Sequence, residues 1–463
     1  MTEQLKLKLN DSKATRWGAL VIVAFTMMAA YYVNDVVAPL KTMLETDLAW
    51  SSTDFGFFTG GYSFLNVFFL MLIWGGLILD RFGIRFTGKL ATILMVGGTA
   101  LEYYAMTGLA GADATLFGIN EIFGYKTGVF VAFAGYSIFG VGAEVAGITV
   151  SKIIAKWFKG KELATAMGVQ VALARIGSQA GYAVAIPLAR AFGISTPVLL
   201  GLVLLLGGMV AFFIFAVMDK KLDRQMEVAA IAAGAEDEEE KFSFKDVKNI
   251  LVNPGFWLIA LLCVLFYSCV FPFQKFASEL MIIKYGINEN VAGTFAGLPA
   301  LGALILTPVF GGFIDKRGKS ASIMLLGSAM LICVHFIYAI PDINYWLVAI
   351  VLMIILGIAF SLVPSAMWPA VAKIFPVSQL GTAYALIFFI QNIGLWGIPT
   401  LIGWVLDAYC ISGKKPDGTN MYDYMVPMCI FTGIACLSLV VALLLKKADK
   451  KYGYKLEEPN IQK

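Results

Sequence analysis

Two oppositely charged residues stand inside otherwise apolar runs of this chain, and their spacing is the first chemical clue. Glu144 lies in the run 127–154 and Arg175 in the run 163–190. The turn between the runs centres near residue 160, so Glu144 precedes it by about 16 residues and Arg175 follows it by about 15. At about 1.5 Å per helical residue both sit about 23 Å along their helices, at matching depth. An arginine can fork onto a carboxylate through two parallel N–H donors, and a glutamate can accept from an ammonium group. Together they suit a small zwitterion such as a short peptide. The plainer reading is a structural ion pair that ties the two helices together. Ionisable groups in hydrocarbon are costly and mark function by default.

Asp35 and Lys275 form a second candidate pair. Each lies in the outer third of its own apolar run, 16–40 and 254–280. They read as an outer gate or a second substrate anchor, against charges that snorkel to interfacial water. Glu102, near the outer end of its run, reads as a surface or structural charge. His335 is the only histidine and reads as a packing residue. Neutral cavity candidates are Tyr31, Tyr32, Asn34, Tyr62, Asn66, Tyr136, Gln170, Gln179, Tyr267, Gln274, Trp368, Gln391 and Asn392. No nucleophile–base pair, metal-ligand cluster or phosphate-binding loop is evident, so neither an enzyme nor a metal or cofactor site is expected.

The elements that must position these groups follow from composition. The 463 residues are 59% hydrophobic and 14% charged, with mean hydropathy +0.80. About a quarter charged is usual for a soluble protein. Many uncharged stretches are long enough to cross ~30 Å of hydrocarbon. The expected class is an all-α integral membrane protein with twelve transmembrane helices. The spans read as 16–40, 53–79, 86–107, 127–154, 163–190, 194–218, 254–280, 288–314, 320–341, 345–372, 380–406 and 423–445. Of the 35 Lys and Arg, 27 fall on one side of these spans and 6 on the other. Positive charge gathers on the cytosolic side, which puts both termini in the cytoplasm. The basic residues are scattered over short loops, which argues against nucleic-acid binding. Five of six cysteines fall within spans and read as packing residues. No signal peptide is expected, and a bacterial inner membrane is the expected location. A monomer in the lipid bilayer is expected, with any accessory subunit left open.

A charged turn occurs twice where a span ends. The first copy holds Gly76, Asp80, Arg81, Gly83 and Arg85; the second holds Gly311, Asp315, Lys316 and Gly318. Asp80 and Asp315 are 235 residues apart, about half the chain. A second repeat pairs Trp157-Phe158 and Leu163-Ala-Thr165-Ala with Ile374-Phe375 and Leu380-Gly-Thr382-Ala, offset by 217 residues. The same offset makes Asn392 the mirror of Arg175. Two pseudosymmetric six-helix halves are therefore expected, at 1–218 and 254–463. Between them a charged cytoplasmic linker is expected at 219–253, with an amphipathic surface helix near 241–250. The glycines would allow close helix approach, and the charges would hold a cytosolic gate shut by capping or pairing across the seam between halves.

Twelve spans, the paired turns and the central linker resemble the major facilitator superfamily over the whole chain. Within it, Lys156-Trp157-Phe158-Lys-Gly160-Lys-Glu162-Leu163 and Gln379-Leu380-Gly381-Thr382-Ala383-Tyr384-Ala385 are similar to the lysosomal dipeptide uniporter branch and its bacterial relatives. So is Val270-Phe271-Pro272-Phe273. The resemblance implies a transporter working by alternating access, with an acidic residue of span 4 and an arginine of span 5 at the substrate site. The expected substrate site is Glu144, Arg175, Asp35, Lys275, Asn392, Gln391, Tyr136 and Tyr31. An organic-anion exchanger, or a symporter coupled to protons through Glu144 or Asp35, are the alternatives of the same fold.

Overall fold

The computed structural model describes residues 8–111, 114–158, 161–233 and 244–459. Helix α1 (Lys13–Val36) continues through a 3-10 turn (Ala38–Leu40) into α2 (Lys41–Asp47). There follow α3 (Ser52–Phe68), α4 (Met71–Thr107), β1 (Glu121–Ile122), β2 (Tyr125–Lys126), α5 (Thr127–Trp157), α6 (Leu163–Phe192) and α7 (Thr196–Ala233). The second half holds α8 (Phe244–Val252), α9 (Pro254–Tyr285), α10 (Glu289–Ala296), α11 (Leu298–Arg317), α12 (Ser320–Ala339), α13 (Trp346–Ile374), α14 (Val377–Tyr409), β3 (Ile411–Lys414), β4 (Asn420–Tyr422) and α15 (Met425–Tyr452). Both β-hairpins lie at the end of the bundle opposite the two termini, and the two ends are called here the hairpin end and the termini end.

Local sequence sets where helices start and bend. Ser51 and Asp54 form a reciprocal capping box that starts α3. Asn253 caps α9, whose first residue is Pro254. Expected span 53–79 breaks at Leu70, which has φ +53°, and the two pieces meet at 58°. Expected spans 53–79 and 86–107 then run together as α4 through Gly83, whose φ of +74° and ψ of 174° turn the chain at the charged signature. Expected span 288–314 is likewise two pieces, α10 and α11, with Gly297 between them.

Among the described residues, nine helices are long and apolar enough to cross a membrane, ten if the bent pair α3–α4 counts as one span. The twelve expected spans would need α4 divided at Gly83 and α6 added to this number. Helix α6 carries Gln170, Arg175 and Gln179 in its middle, which interrupt its apolar run. Many large apolar side chains face outward, Val203, Val210, Ile214 and Val217 of α7 among them. So continuous an apolar surface belongs against lipid, and the molecule is a multi-pass membrane protein.

Helix α4 packs on α5 and α7, and α1 on α6 and α7; in the second half α12 packs on α15 and α13, and α11 on α13. The halves meet along two seams, α3 against α14 and α6 against α10 and α11. Gly56 and Gly403 face each other in the first seam, where a Cβ on Gly403 would lie 2.2 Å from Ser52 O. Helix α7 runs past 218 to Ala233, and α8 falls where the amphipathic surface helix is expected. The acidic run 236–240 lies outside the described residues.

Candidate functional site

A cavity of about 680 Å³ opens between the halves at mid-depth. That volume falls in the usual range for sites that hold a small molecule. Its walls include Tyr31, Asn34, Tyr62, Tyr136, Glu144, Arg175, Lys275, Gln391 and Asn392. It extends along Leu72, Ile148 and Ser151 toward the termini end. Of the expected substrate-site residues, Asp35 alone is not on the wall; it stands one layer behind, bonded to Lys275.

Glu144 and Arg175 face the cavity from adjacent helices and do not pair with each other among the described residues. Glu144 Oε1 accepts a hydrogen bond of 2.9 Å from the Tyr62 hydroxyl. The Arg175 guanidinium lies 4.8 Å from the Phe360 ring and 5.7 Å from the Tyr31 ring. Neither ring neutralises it: a cation over an aromatic face keeps its five N–H donors. Phe360 comes from α13, so the cation already touches both halves. The cavity thus presents one carboxylate and one guanidinium, both free to meet a solute.

The Asp35–Lys275 pair is closed. Lys275 Nζ lies 3.1 Å from Asp35 Oδ1 and donates to Asn34 O at 2.6 Å. Asn34 Nδ2 donates to Asp35 Oδ1 at 2.8 Å, Ser178 Oγ donates to Asp35 Oδ2, and the Tyr136 hydroxyl donates to Asn34 O at 2.7 Å. This network joins α1, α5 and α6 to α9 across the midline. Gln391 accepts from Cys263 Sγ at 3.4 Å, and Asn392 Nδ2 donates to Phe388 O at 2.9 Å. The Asn392 Oδ1 atom is buried without a partner among the described residues.

Toward the hairpin end the cavity is sealed by groups that the charge pattern does not single out. Lys41 Nζ sits 2.5 Å from both Glu45 Oε1 and Glu279 Oε2, with Lys415 Nζ 3.5 and 3.6 Å from the remaining oxygens. Tyr424 also donates to Glu279. The cluster is buried, and it spans both halves. Asp407 of α14 accepts from the backbone N–H groups of Ser52 and Thr53 at 3.3 and 2.5 Å, so it caps the positive start of α3 in the other half. Arg190 pairs with Glu289 across the second seam. Two i, i+4 spacings are the available signals: Lys41 with Glu45, and Lys275 with Glu279. Glu279 ends its expected span and reads from sequence as an interfacial charge.

At the termini end, Asp80 and Arg85 of the first turn are paired within their own half in this conformation. Asp80 pairs with Lys152 at 2.9 Å, and Arg85 with Asp223 at 2.6 Å, all within the first half. Lys156 and Trp157 bond the buried Asp219 beside them. Arg81 lies over Phe82, and Lys316 is exposed. Nothing crowds Gly76 or Gly311; Gly75 is the tight position, where a Cβ would meet Val145 Cγ2 at 2.5 Å. Gly318 has φ +70° and packs against the backbone of Glu457 and Glu458, so the chain's last described residues run beneath the second turn.

Two helical halves around a cavity that carries a few charged groups and is sealed at one end define a membrane transporter. A model of the Major Facilitator Superfamily matches residues 20–399, and the chain belongs to that superfamily. It is similar to the human lysosomal dipeptide transporter MFSD1, 28% identical over 454 residues, covering 95% of this chain and 88% of the relative. It is 32% identical over 324 residues to the Gallus gallus protein of the same name, covering 67% of each. Among solved structures, a point mutant of the nucleoside transporter NupG superposes with TM-score 0.68 at 13% identity, covering 92% of this chain and 98% of that one. A bacterial homologue of the human lysosomal transporter Spinster gives 0.64 at 14% identity, covering 98% and 99%. At such identities these structures speak for the fold alone.

Proposed function

We propose that this transporter moves small zwitterions, short peptides first among them, by alternating access and facilitated diffusion. One observation carries the reading: among the described residues Arg175 reaches the cavity with no carboxylate partner, while Glu144 stands on the same wall and is held only by Tyr62. A peptide's carboxylate would take the arginine fork and its ammonium group the glutamate. The dipeptide transporters named among the relatives support the same substrate class. Closing of the hairpin end by Lys41, Glu279 and Asp407 supports a conformation that faces the termini side. The excess of Lys and Arg there supports that side as cytosolic, with both termini in the cytoplasm and the bundle in a bacterial inner membrane. Asp80, Arg81, Arg85, Asp315 and Lys316, with their glycines, would close the cytosolic gate when the halves rock.

An anion exchanger would want Arg175 and Lys275 both free. Lys275 is committed to Asp35, which disfavours that reading. The test is uptake of a dipeptide mixture by the purified protein in proteoliposomes, followed by mass spectrometry. Arg175→Ala and Glu144→Gln should each lower uptake roughly tenfold or more, since a charge-assisted hydrogen bond contributes about 1.5–3 kcal/mol. Uptake of dicarboxylates but not dipeptides, undiminished in Glu144→Gln, would sink the peptide reading and favour the exchanger.

A further inference from the structure

The connection between α4 and α5 builds two tight turns of one design. In Leu116-Phe117-Gly118-Ile119, Leu116 and Ile119 exchange backbone hydrogen bonds of 3.0 Å. In Ile122-Phe123-Gly124-Tyr125, the turn closes β1 on β2. Phe117 and Phe123 have φ +54° and +52°, and the glycines after them +80° and +81°. Two successive positive φ angles are the hairpin turn that asparagine-glycine fits best. A bulky side chain is strained there. Nor does packing inside the protein explain the choice, because Phe117 is 95% exposed and Phe123 89%. An outlier of backbone and exposure together, occurring twice within seven residues, points to a use outside the protein.

The direction of the second tip points to that use. The Phe123 ring lies 5.8 Å from Phe130, one turn inside α5. Phe130 is part-exposed on a membrane-crossing helix and continues inward to Phe133 at 6.1 Å. The second tip therefore folds back along the flank of α5 instead of standing out in water. The strip between the turns is pinned to the same helix end, with Thr127 N donating to Asn120 O at 2.9 Å and Thr127 Oγ1 to Ile119 O at 2.8 Å. We infer that Phe117 and Phe123 are membrane anchors: two aromatic wedges set into the hairpin-side leaflet at the boundary between headgroups and acyl chains. Aromatic rings favour that depth, and Phe123 extends the part-exposed edge of α5 at Phe130. The anchors would fix one edge of the first half to the bilayer while the second half rocks against it.

The test needs no substrate, so it stands apart from the transport reading. Spin labels are placed at Phe117→Cys, Phe123→Cys and, as a control, Asn120→Cys, in a full-length variant lacking the six native cysteines, reconstituted in phosphatidylcholine–phosphatidylglycerol vesicles. Oxygen should reach the two tip labels more readily than a water-soluble nickel chelate does, with the order reversed at residue 120. Preferential access of the nickel chelate at both tips would overturn the inference. So would shielding of both tips from either reagent, which would mean that a protein partner or second copy covers them. A second variant guards against misfolding: Phe117→Asn with Phe123→Asn suits the turns better. Lost anchoring should nonetheless raise hydrogen exchange across 114–126 in the bilayer. Exchange that stays the same or falls would also overturn it.

Discussion

Glu102 has no use in the cavity chemistry. It is 0% exposed on α4, packed where that helix crosses Gly135 of α5, and neither carboxyl oxygen has a partner among the described residues. A stranded polar group of that kind costs about 1–3 kcal/mol. Glu102→Leu should therefore raise the thermal unfolding midpoint of the detergent-solubilised protein and leave dipeptide uptake intact. A lowered midpoint would mean that the carboxyl has a partner after all. Tyr62 sits at the opposite pole, since its hydroxyl is the hydrogen-bond donor to Glu144. Tyr62→Phe should keep the fold and raise the half-saturation concentration for dipeptide uptake about tenfold, by loss of a hydrogen bond to a charged group of about 1.5 kcal/mol. Unchanged half-saturation would show that Glu144 needs no orienting. Glu144 and Arg175 were legible in the sequence because they interrupt uncharged runs at matched depth. Glu279 was not, because a charge at the end of a span looks interfacial until a second helix covers it.

At the scale of elements, hydropathy located the spans and missed their breaks. Apolar length says where the chain must cross the membrane, whereas the breaks at Leu70, Gly83 and Gly297 are backbone events set by neighbours. The 235-residue repeat marked out the two halves, yet it held no hint that each first-half turn charge would find its partner in its own half. Nor did it place the segment before α1. There Asp11 accepts from Lys161, and in the first turn of α1 the Arg16 guanidinium bonds Glu162 at 2.9 to 3.1 Å, which clamps this end to the α5–α6 connection. The Lys161 and Lys8 hydrogen bonds hold the Asp11 carboxyl below its ordinary 3.8. The backbone N–H of Glu162 and then Arg16 hold the Glu162 carboxyl below its ordinary 4.5. A carboxyl depressed by folding contributes stability above its unfolded value, and the contribution is lost as pH falls through the folded value. The clamp should be closed at pH 7 and released in acid, as pH falls through the depressed folded values. A spin label at Asn10→Cys checks this: it should be immobile at neutral pH and mobile in acid, and already mobile at pH 7 with Glu162→Gln. Immobility under all three conditions would assign the order to packing alone.

For the molecule as a whole, function depends on an imbalance between its two ends. Ion pairs and caps between halves close the hairpin end and the sealed side of the cavity: Lys41 with Glu279, Arg190 with Glu289, Asp407 on the start of α3, and Asp35 with Lys275. Alternating access requires these to open together, so their summed stability cannot greatly exceed what the termini end gains on closing. The lysine–glutamate cluster is the most deeply buried of these. Removing one partner from a buried pair costs about 3–5 kcal/mol, because the other charge is left in place. Here that cost falls only on the closed hairpin end, since opening brings water to Lys41. Glu279→Gln should therefore shift the population toward the conformation open at the hairpin end, and each 1.4 kcal/mol that is lost selectively shifts it about tenfold. Ser178→Cys, beside Asp35 on the sealed side of the cavity, reports the shift. Its labelling by a membrane-impermeant maleimide added from the hairpin side should be slow in the otherwise unchanged protein and at least tenfold faster with Glu279→Gln. Equal rates would mean that Asp407 and the Asp35–Lys275 network hold that end closed without the cluster, and the charge cluster would then be scaffolding instead of a gate.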